Sequence, residues 1–485
     1  MKFLLSAATA ILLFSQAVCQ DLPGYRTGNY TGVHSVFFNP ANIADTRFAY
    51  DFNLFGVGAN AVNNKVDFSI KDIHKTLDGD SIKNIFFSSK NGLTSAIFSF
   101  NWIGPSLLIP VNKKLSVAVT SRARSMLNIV SFDGKLASEI IAGGNNETNF
   151  PYTVKSSGNM IETANIWSEF GLSAAGIILE KGNHFFKGGG TLKYLAGVSN
   201  TYLNIQNLNA TIDVEPGTTD ETYITNALGK LNFGFGGAQI ENIQLKDLLK
   251  FTSSGIGIDL GLVYEYRTKK DAYLLSSDKS ARRDMNKYLL KVGAAILDAG
   301  SIKFQRNRPI SGDYSLHIPG GEKFSLNSFN DLDEYKDTLS KYPQYFTEGA
   351  AGNDSYKVSL PTTLQLDIDY HIQKGIYLNF ASQVSLSHTD KKISNSQYYN
   401  SFTLTPRFEN RAIGVYVPIN YNSLAKLTAG FAVRLGPLFA GSGSILTAAL
   451  GRSKQVDFFF GIRVHRLFKN KQKELDKAKK LIEKT

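Results

Sequence analysis

The chain has 485 residues, 53 Lys and Arg against 41 Asp and Glu for a formal net charge of +12, and one cysteine. A single cysteine excludes a disulfide-stapled secreted module, and past the N-terminus no run approaches the roughly 18 apolar residues of a spanning helix, which excludes a helical membrane protein. The basic charges are spread through loops and alternating segments, so with an export signal at the N-terminus they argue for solvated loops and no nucleic-acid partner.

Residues 1–19 read as that signal: Lys2, an apolar stretch to Phe14, then Ala17 and Cys19 as small residues at a cleavage site. Cleavage after Cys19 leaves a mature chain without cysteine. Acylation of Cys19 is the alternative, which Gln16-Ala17-Val18 fits poorly. Residues 20–45 precede the first strand.

From there the dominant pattern has period two, the signature of a strand with one apolar and one polar face. Strands are expected at 47–60, 98–110, 115–128, 167–179, 185–200, 255–267, 287–295 with a possible continuation to 304, 364–371, 376–386, 401–409, 412–419, 425–435, 438–450 and 456–468. Residues 255–267 are the clearest. Ile256, Ile258, Leu260, Leu262, Tyr264 and Tyr266 share one face; Asp259, Glu265 and Arg267 lie on the other with three glycines, and Val263 breaks the pattern. Short connections fall near 112, 182, 374, 410 and 436, and long ones near 75, 145, 230 and 330. The connection at 269–285 is longer than this sorting requires. A short helix is expected near 331–339.

A soluble sandwich has no reason to sort its connections by length, whereas outer-membrane barrels pair short periplasmic turns with long external loops. The expectation is therefore an all-β protein: a transmembrane antiparallel β-barrel of about fourteen strands over residues 46–468, located in the outer membrane of a Gram-negative cell and in contact with its lipid. The Lys-rich, helix-like tail 469–485 would lie in the periplasm, as a solvated end or a docking segment.

Asn39-Pro40-Ala41 after the aromatic pair Phe37-Phe38 resembles the N-terminal segment of FadL-like fatty-acid transporter barrels and of their PorV-like relatives in type IX secretion. With residues 190–194, 257–261, 405–409 and 436–439, the chain is similar to an uncharacterised family of Bacteroidota outer-membrane barrels. The resemblance implies that residues 20–45 fold into the lumen as a plug or hatch, with Asn39-Pro40-Ala41 shaping a turn inside the barrel. No residues match a fatty-acid site, so the resemblance carries no substrate over.

No motif points to an enzyme. The glycines at 255–261 and 188–190 lack Gly-x-Gly-x-x-Gly spacing at a strand-to-helix turn, no Gly-x-Ser-x-Gly elbow occurs, and the histidines show no metal-ligand spacing. No catalytic residue, metal or cofactor is assigned. Asp367 and Asp369 share a strand face and read as lumen lining rather than a cation site. The candidate lumen residues are Arg122, Arg124, Glu169, Lys193, Asp259, Glu265, Asp367, Asp369, Arg407, Glu409, Arg434 and Arg463. An open ion pore favours one sign of charge; this mixed set suits a charge-paired, plugged interior.

Two readings follow. In one, the barrel transports small hydrophobic molecules, by plug rearrangement or a lateral opening, and has an apolar pocket between plug and wall. In the other it is a non-transporting secretion shuttle or envelope scaffold whose partner is a secretion-system protein, with a sealed lumen and an apolar patch on its external loops.

Overall fold

The computed structural model describes residues 22–72, 92–136, 150–218, 221–239, 243–268, 274–275, 282–328, 334–350, 352–387 and 392–470. The expected signal peptide and all but the first two residues of the Lys-rich tail lie outside them.

The chain forms one closed antiparallel barrel of fourteen strands. In chain order these are β1 (Phe48–Asn63), β2 (Leu93–Ile103, resuming at Ser106–Pro110), β3 (Leu115–Asp133), β4 (Asn159–Lys181), β5 (His184–Val214), β6 (Ser253–Tyr266), β7 (Leu290–Gln305), β8 (Ser355–Ser359 and Thr363–Gln373), β9 (Ile376–Ser385), β10 (Ser401–Glu409), β11 (Ile413–Tyr416 and Ile419–Asn422), β12 (Lys426–Ala429 and Phe431–Leu435), β13 (Leu438–Ser442) and β14 (Gln455–Leu467). The barrel closes where β1 pairs with β14, with Phe52 opposite Val464 and Asn53 opposite Arg463. Closure leaves no open sheet edge, the condition for a sheet to stand in hydrocarbon.

The period-two pattern sets the two faces. On β6, Ile256, Leu260 and Leu262 are 60–63% exposed while Asp259 and Glu265 are buried. Leu366, Ile368 and Tyr370 on β8 and Phe460, Ile462 and Val464 on β14 are exposed in the same way. This outward apolar belt is the face a membrane barrel turns to lipid. Among the described residues no helix is long and apolar enough to cross a membrane.

One side of the barrel is much taller. β4 has 23 residues and β5 has 31, against the roughly ten that cross a bilayer. The upper half of β5 pairs with Thr222–Gly237, which pairs with Gly312–Ile318, which pairs with Phe346–Glu348. A short helix, α1 (Tyr335–Ser340), covers this external extension. The long connections expected near 230 and 330 thus carry sheet. Ile212, Phe233, Tyr314, Phe324 and Leu339 pack there into one apolar core, on the apolar face of strands that still alternate, as Tyr314, Leu316 and Ile318 do with Asp313, Ser315 and His317.

A second difference is at 438–450, expected as one strand. β13 stops at Ser442 and helix α2 (Ile445–Leu450) follows. The Asp457 carboxylate accepts from the Gly443 N–H (2.5 Å) and the Ser444 hydroxyl (2.6 Å), replacing ladder bonds. The breaks in β11 and β12 lie side by side. Pro418 lacks the N–H a ladder needs, and its carbonyl accepts from Gly430 N–H across the gap.

Candidate functional site in the barrel interior

Residues 22–46 lie inside the barrel wall. Tyr25, Val33 and Ala41 are fully buried, and Val36, Phe38 and Ile43 are nearly so. The segment advances in short 3₁₀ turns, Tyr25–Thr27, Gly32–Phe37 and Pro40–Ile43. Asn39 caps the last: its side-chain oxygen accepts from Ala41 N–H at 3.0 Å, and Pro40 supplies the preset φ of a first helical position. The Asn39 amide also donates to the Leu262 and Ala294 carbonyls, at 3.1 and 3.3 Å. The turn is therefore stitched to β6 and β7.

Glycines on the inner wall admit it. A Cβ on Gly261 would stand 2.1 Å from Asn39 Oδ1 and 3.0 Å from Pro40 Cδ, and one on Gly189 would stand 2.8 Å from Ala41 N. Overpacking of this kind typically costs about 1–3 kcal/mol. Gly261→Val is accordingly expected to lift the Asn39-Pro40 turn off the wall. Limited trypsinolysis at Arg26 and Arg47 should accelerate, while Gly190→Val, whose Cβ has ordinary clearance of 3.4 Å, should not change it.

The wall grips the segment through charge. Arg463 on β14 binds the Asp51 carboxylate at 2.9 Å and donates to the Tyr30 and Thr31 carbonyls at 2.7 and 2.8 Å. Asp51 in turn accepts from Val33 N–H at 2.6 Å. Glu409 accepts from the Asn29 backbone N–H at 3.0 Å and from its side-chain amide at 2.6 Å. Asp45 is held by Arg267 at 2.9 Å and Lys287 at 2.8 Å.

The twelve sequence-derived lumen residues are all buried, and the structure gathers them into groups. Glu169 takes Arg122 Nε and Arg124 Nη1, each at 2.8 Å. Lys193 binds Asp259 at 2.7 Å. Asp298 joins these, binding Arg124 at 2.8 Å and Lys193 at 2.5 Å. Further round, Arg407 forks onto both oxygens of Asp369 at 2.8 and 2.6 Å and reaches Glu409 at 3.2 Å. Lys291 lies 3.6 Å from Asp367. Glu265 pairs with Lys187 at 2.9 Å and Arg267 at 2.5 Å. Arg434 stands apart from the acids: it donates to the carbonyls of Asn410 and Arg411 at the β10–β11 turn, over the Tyr30 ring.

Sequence reasoning did not select Asp298, Asp51, Asp45 or Tyr288. It also missed a second cover. Residues 394–398, in the β9–β10 connection, enter the barrel from the external end. Gln397 exchanges two hydrogen bonds with Asn128, Ser396 accepts from Asn165 at 2.6 Å, and the Tyr398 hydroxyl accepts from Arg124 at 2.7 Å. At the opposite end the long β6–β7 connection has an architectural use: Lys287 reaches Asp45, and the Tyr288 hydroxyl lies 2.5 Å from Asp369 and 3.0 Å from Asn29.

Two cavities distinguish the interior from the extension. One, of about 10 Å³, lies between the inner segment and the wall at Arg26, Phe37, Arg122, Asp298 and Gln365, and is polar. The other, of about 80 Å³, lies in the external extension and is lined by hydrocarbon from Phe132, Leu203, Leu231, Leu316, Phe324 and Leu326. It is several times the roughly 10–15 Å³ one water requires, and its wall is almost wholly apolar although Lys230 and Tyr335 also line it.

A family model described as "Family of unknown function (DUF5723)" matches residues 40–443. A comparison with curated proteins finds no match. Among solved structures the chain is similar to a Pseudomonas aeruginosa FadL homologue, at 8% identity and a TM-score of 0.43, covering 94% of this chain and 99% of that one. It is also similar to the Ralstonia pickettii toluene transporter TbuX, at 11% identity and a TM-score of 0.37, covering 90% and 94%. At these scores the likeness carries no argument about activity.

Proposed function

The chain belongs to the family of unknown function DUF5723, and within that family we propose that it is an outer-membrane barrel that admits small hydrophobic molecules. The observation that carries the reading is the apolar cavity in the external extension. It is an apolar receptacle held on the tall side of the wall, above a lipid-facing belt. Residues 20–45 act as the plug, with Asn39, Pro40 and Ala41 seated on the inner wall. The mixed charges of the lumen hold that plug rather than conduct ions. The expected apolar pocket between plug and wall is not the site; the space described there is small and polar. Entry from the external cavity therefore requires the plug or the wall to move.

The test is uptake of a labelled small aromatic hydrocarbon by a deletion strain carrying either the wild-type chain or Leu231→Trp, which fills the cavity. Wild type should restore uptake and Leu231→Trp should reduce it about tenfold, equivalent to about 1.4 kcal/mol of lost binding. Heat-modified gel mobility checks that the variant folds. Equal uptake with and without the gene, and no hydrocarbon binding by the purified protein, would overturn it. The charge-packed interior favours the second reading, a non-transporting barrel of the PorV type that acts through its external extension, and that result would support it.

A further inference from the structure

The outer wall carries a charge cluster that neither plug nor lumen uses. Lys303 on β7 and Lys357 on β8 are directly opposite each other in the ladder, and both are exposed. Like charges in such a pair repel. A third lysine adds to them: Lys392 Nζ donates to the Lys357 carbonyl. Partial burial, and then the neighbouring Lys357 ammonium, push the Lys392 pKa below its ordinary value. Among the described residues no carboxylate forms an ion pair with any of the three. The acid nearest along β8, Asp354, is taken by Arg308 at 2.7 Å.

Their height on the wall gives the cluster a meaning. Ser301 and Ser359 form the adjacent outward pair, and Ser301 is opposite Ile256, which is 63% exposed at the upper edge of the apolar belt. Ile256 is opposite Tyr194, whose ring meets Phe251 at 5.6 Å, an aromatic contact of the kind that marks the membrane interface. Two residues of strand rise place the lysines about 7 Å along the wall beyond that edge. This is the layer occupied by the headgroups of a lipid whose chains lie on Ile256.

We propose that Lys303, Lys357 and Lys392 dock the phosphorylated headgroup of an outer-leaflet lipid, its acyl chains lying against Ile256 and Tyr194. The lipid phosphate supplies the negative charge that the described part of the protein does not. Basic clusters at a membrane surface bind anionic headgroups in this way. The proposal depends on the outer-membrane reading but not on hydrocarbon uptake.

The test uses the full chain in nanodiscs titrated with a bisphosphorylated glycolipid, the same lipid dephosphorylated, and inorganic phosphate, with bound lipid read by native mass spectrometry. The phosphorylated lipid should bind at least about tenfold tighter than its dephosphorylated form. Each of Lys303→Gln, Lys357→Gln and Lys392→Gln should weaken it about fivefold, and Lys357→Arg should retain it. Equal binding of the two lipids would overturn the proposal, as would saturation by inorganic phosphate at the affinity of the lipid. So would Lys303→Gln raising thermal stability equally with and without lipid, since the pair would then be merely repulsive. Membrane fractionation of cells tests the outer-membrane reading separately.

Discussion

Replacing Arg463 by Met is expected to destabilise the barrel by about 3–5 kcal/mol, the usual cost of removing one partner from a buried ion pair. Asp51 and Arg463 are both fully inaccessible. Without the guanidinium, the Asp51 carboxylate keeps Val33 N–H but loses its counter-charge, and the Tyr30 and Thr31 carbonyls lose their donors. Asp51→Asn should cost a similar amount by stranding the cation. The double variant should be less destabilised than the sum of the two, because neither charge is then left alone. Arg463→Lys should fall between, since an ammonium does not reproduce the two-armed fork that reaches carboxylate and carbonyls together. The measurement is the urea midpoint of the detergent-solubilised barrel, followed by heat-modified gel mobility. A loss below about 1 kcal/mol for Arg463→Met would mean that the inner segment does not need this grip.

Asp298→Asn should have an effect of comparable size, again about 3 kcal/mol or more. Its carboxylate is shared by Arg122, Arg124 and Lys193, so neutralising it leaves those cations with Glu169 and Asp259 alone. Asn is the informative substitution because Asp298 has φ 59°, a left-handed conformation that Asn tolerates and Ala does not. Asp298→Ala should therefore cost about 1 kcal/mol more than Asp298→Asn. Adding Arg122→Met to Asp298→Asn should recover part of the loss, because Arg124 then keeps Glu169 and Lys193 keeps Asp259, and failure to do so would show that the charges are not coupled.

Asp298 also explains where sequence reading succeeds and where it stops. The barrel is legible because membrane-crossing strands need one apolar face, and β6 keeps strict alternation from Ile256 to Leu262. Asp259 and Glu265 follow from the same count. On β7 the register shifts between Ile296 and Ala299, so counting along the strand carries the phase wrongly past the bulge and Asp298 drops out. Asp45 lies in the N-terminal segment, where no periodicity exists to count. Lys287 and Tyr288 sit in a connection that the loop sorting could only flag as too long. The external extension is missed for another reason: Ala210, Ile212 and Val214 alternate with Asn209, Thr211 and Asp213, and Tyr314, Leu316 and Ile318 with Asp313, Ser315 and His317, but sorting connections by length places these runs inside the long ones near 230 and 330.

The pairing of β1 with β14 also makes closure of the wall a long-range event. The residues that meet there, Phe52 and Val464 or Asn53 and Arg463, stand at opposite ends of the polypeptide, the most distant contact in sequence that the sheet makes and the slowest kind to form. Without β14 in place, the sheet has two free edges and the inner segment lacks one of its anchors, because Arg463 resides on that strand. The pairing of β14 with β1 thus does two things at once, sealing the cylinder and fastening the inner segment through Arg463. A chain truncated before residue 455 would retain most of its strands, yet have neither a closed wall nor a fastened interior.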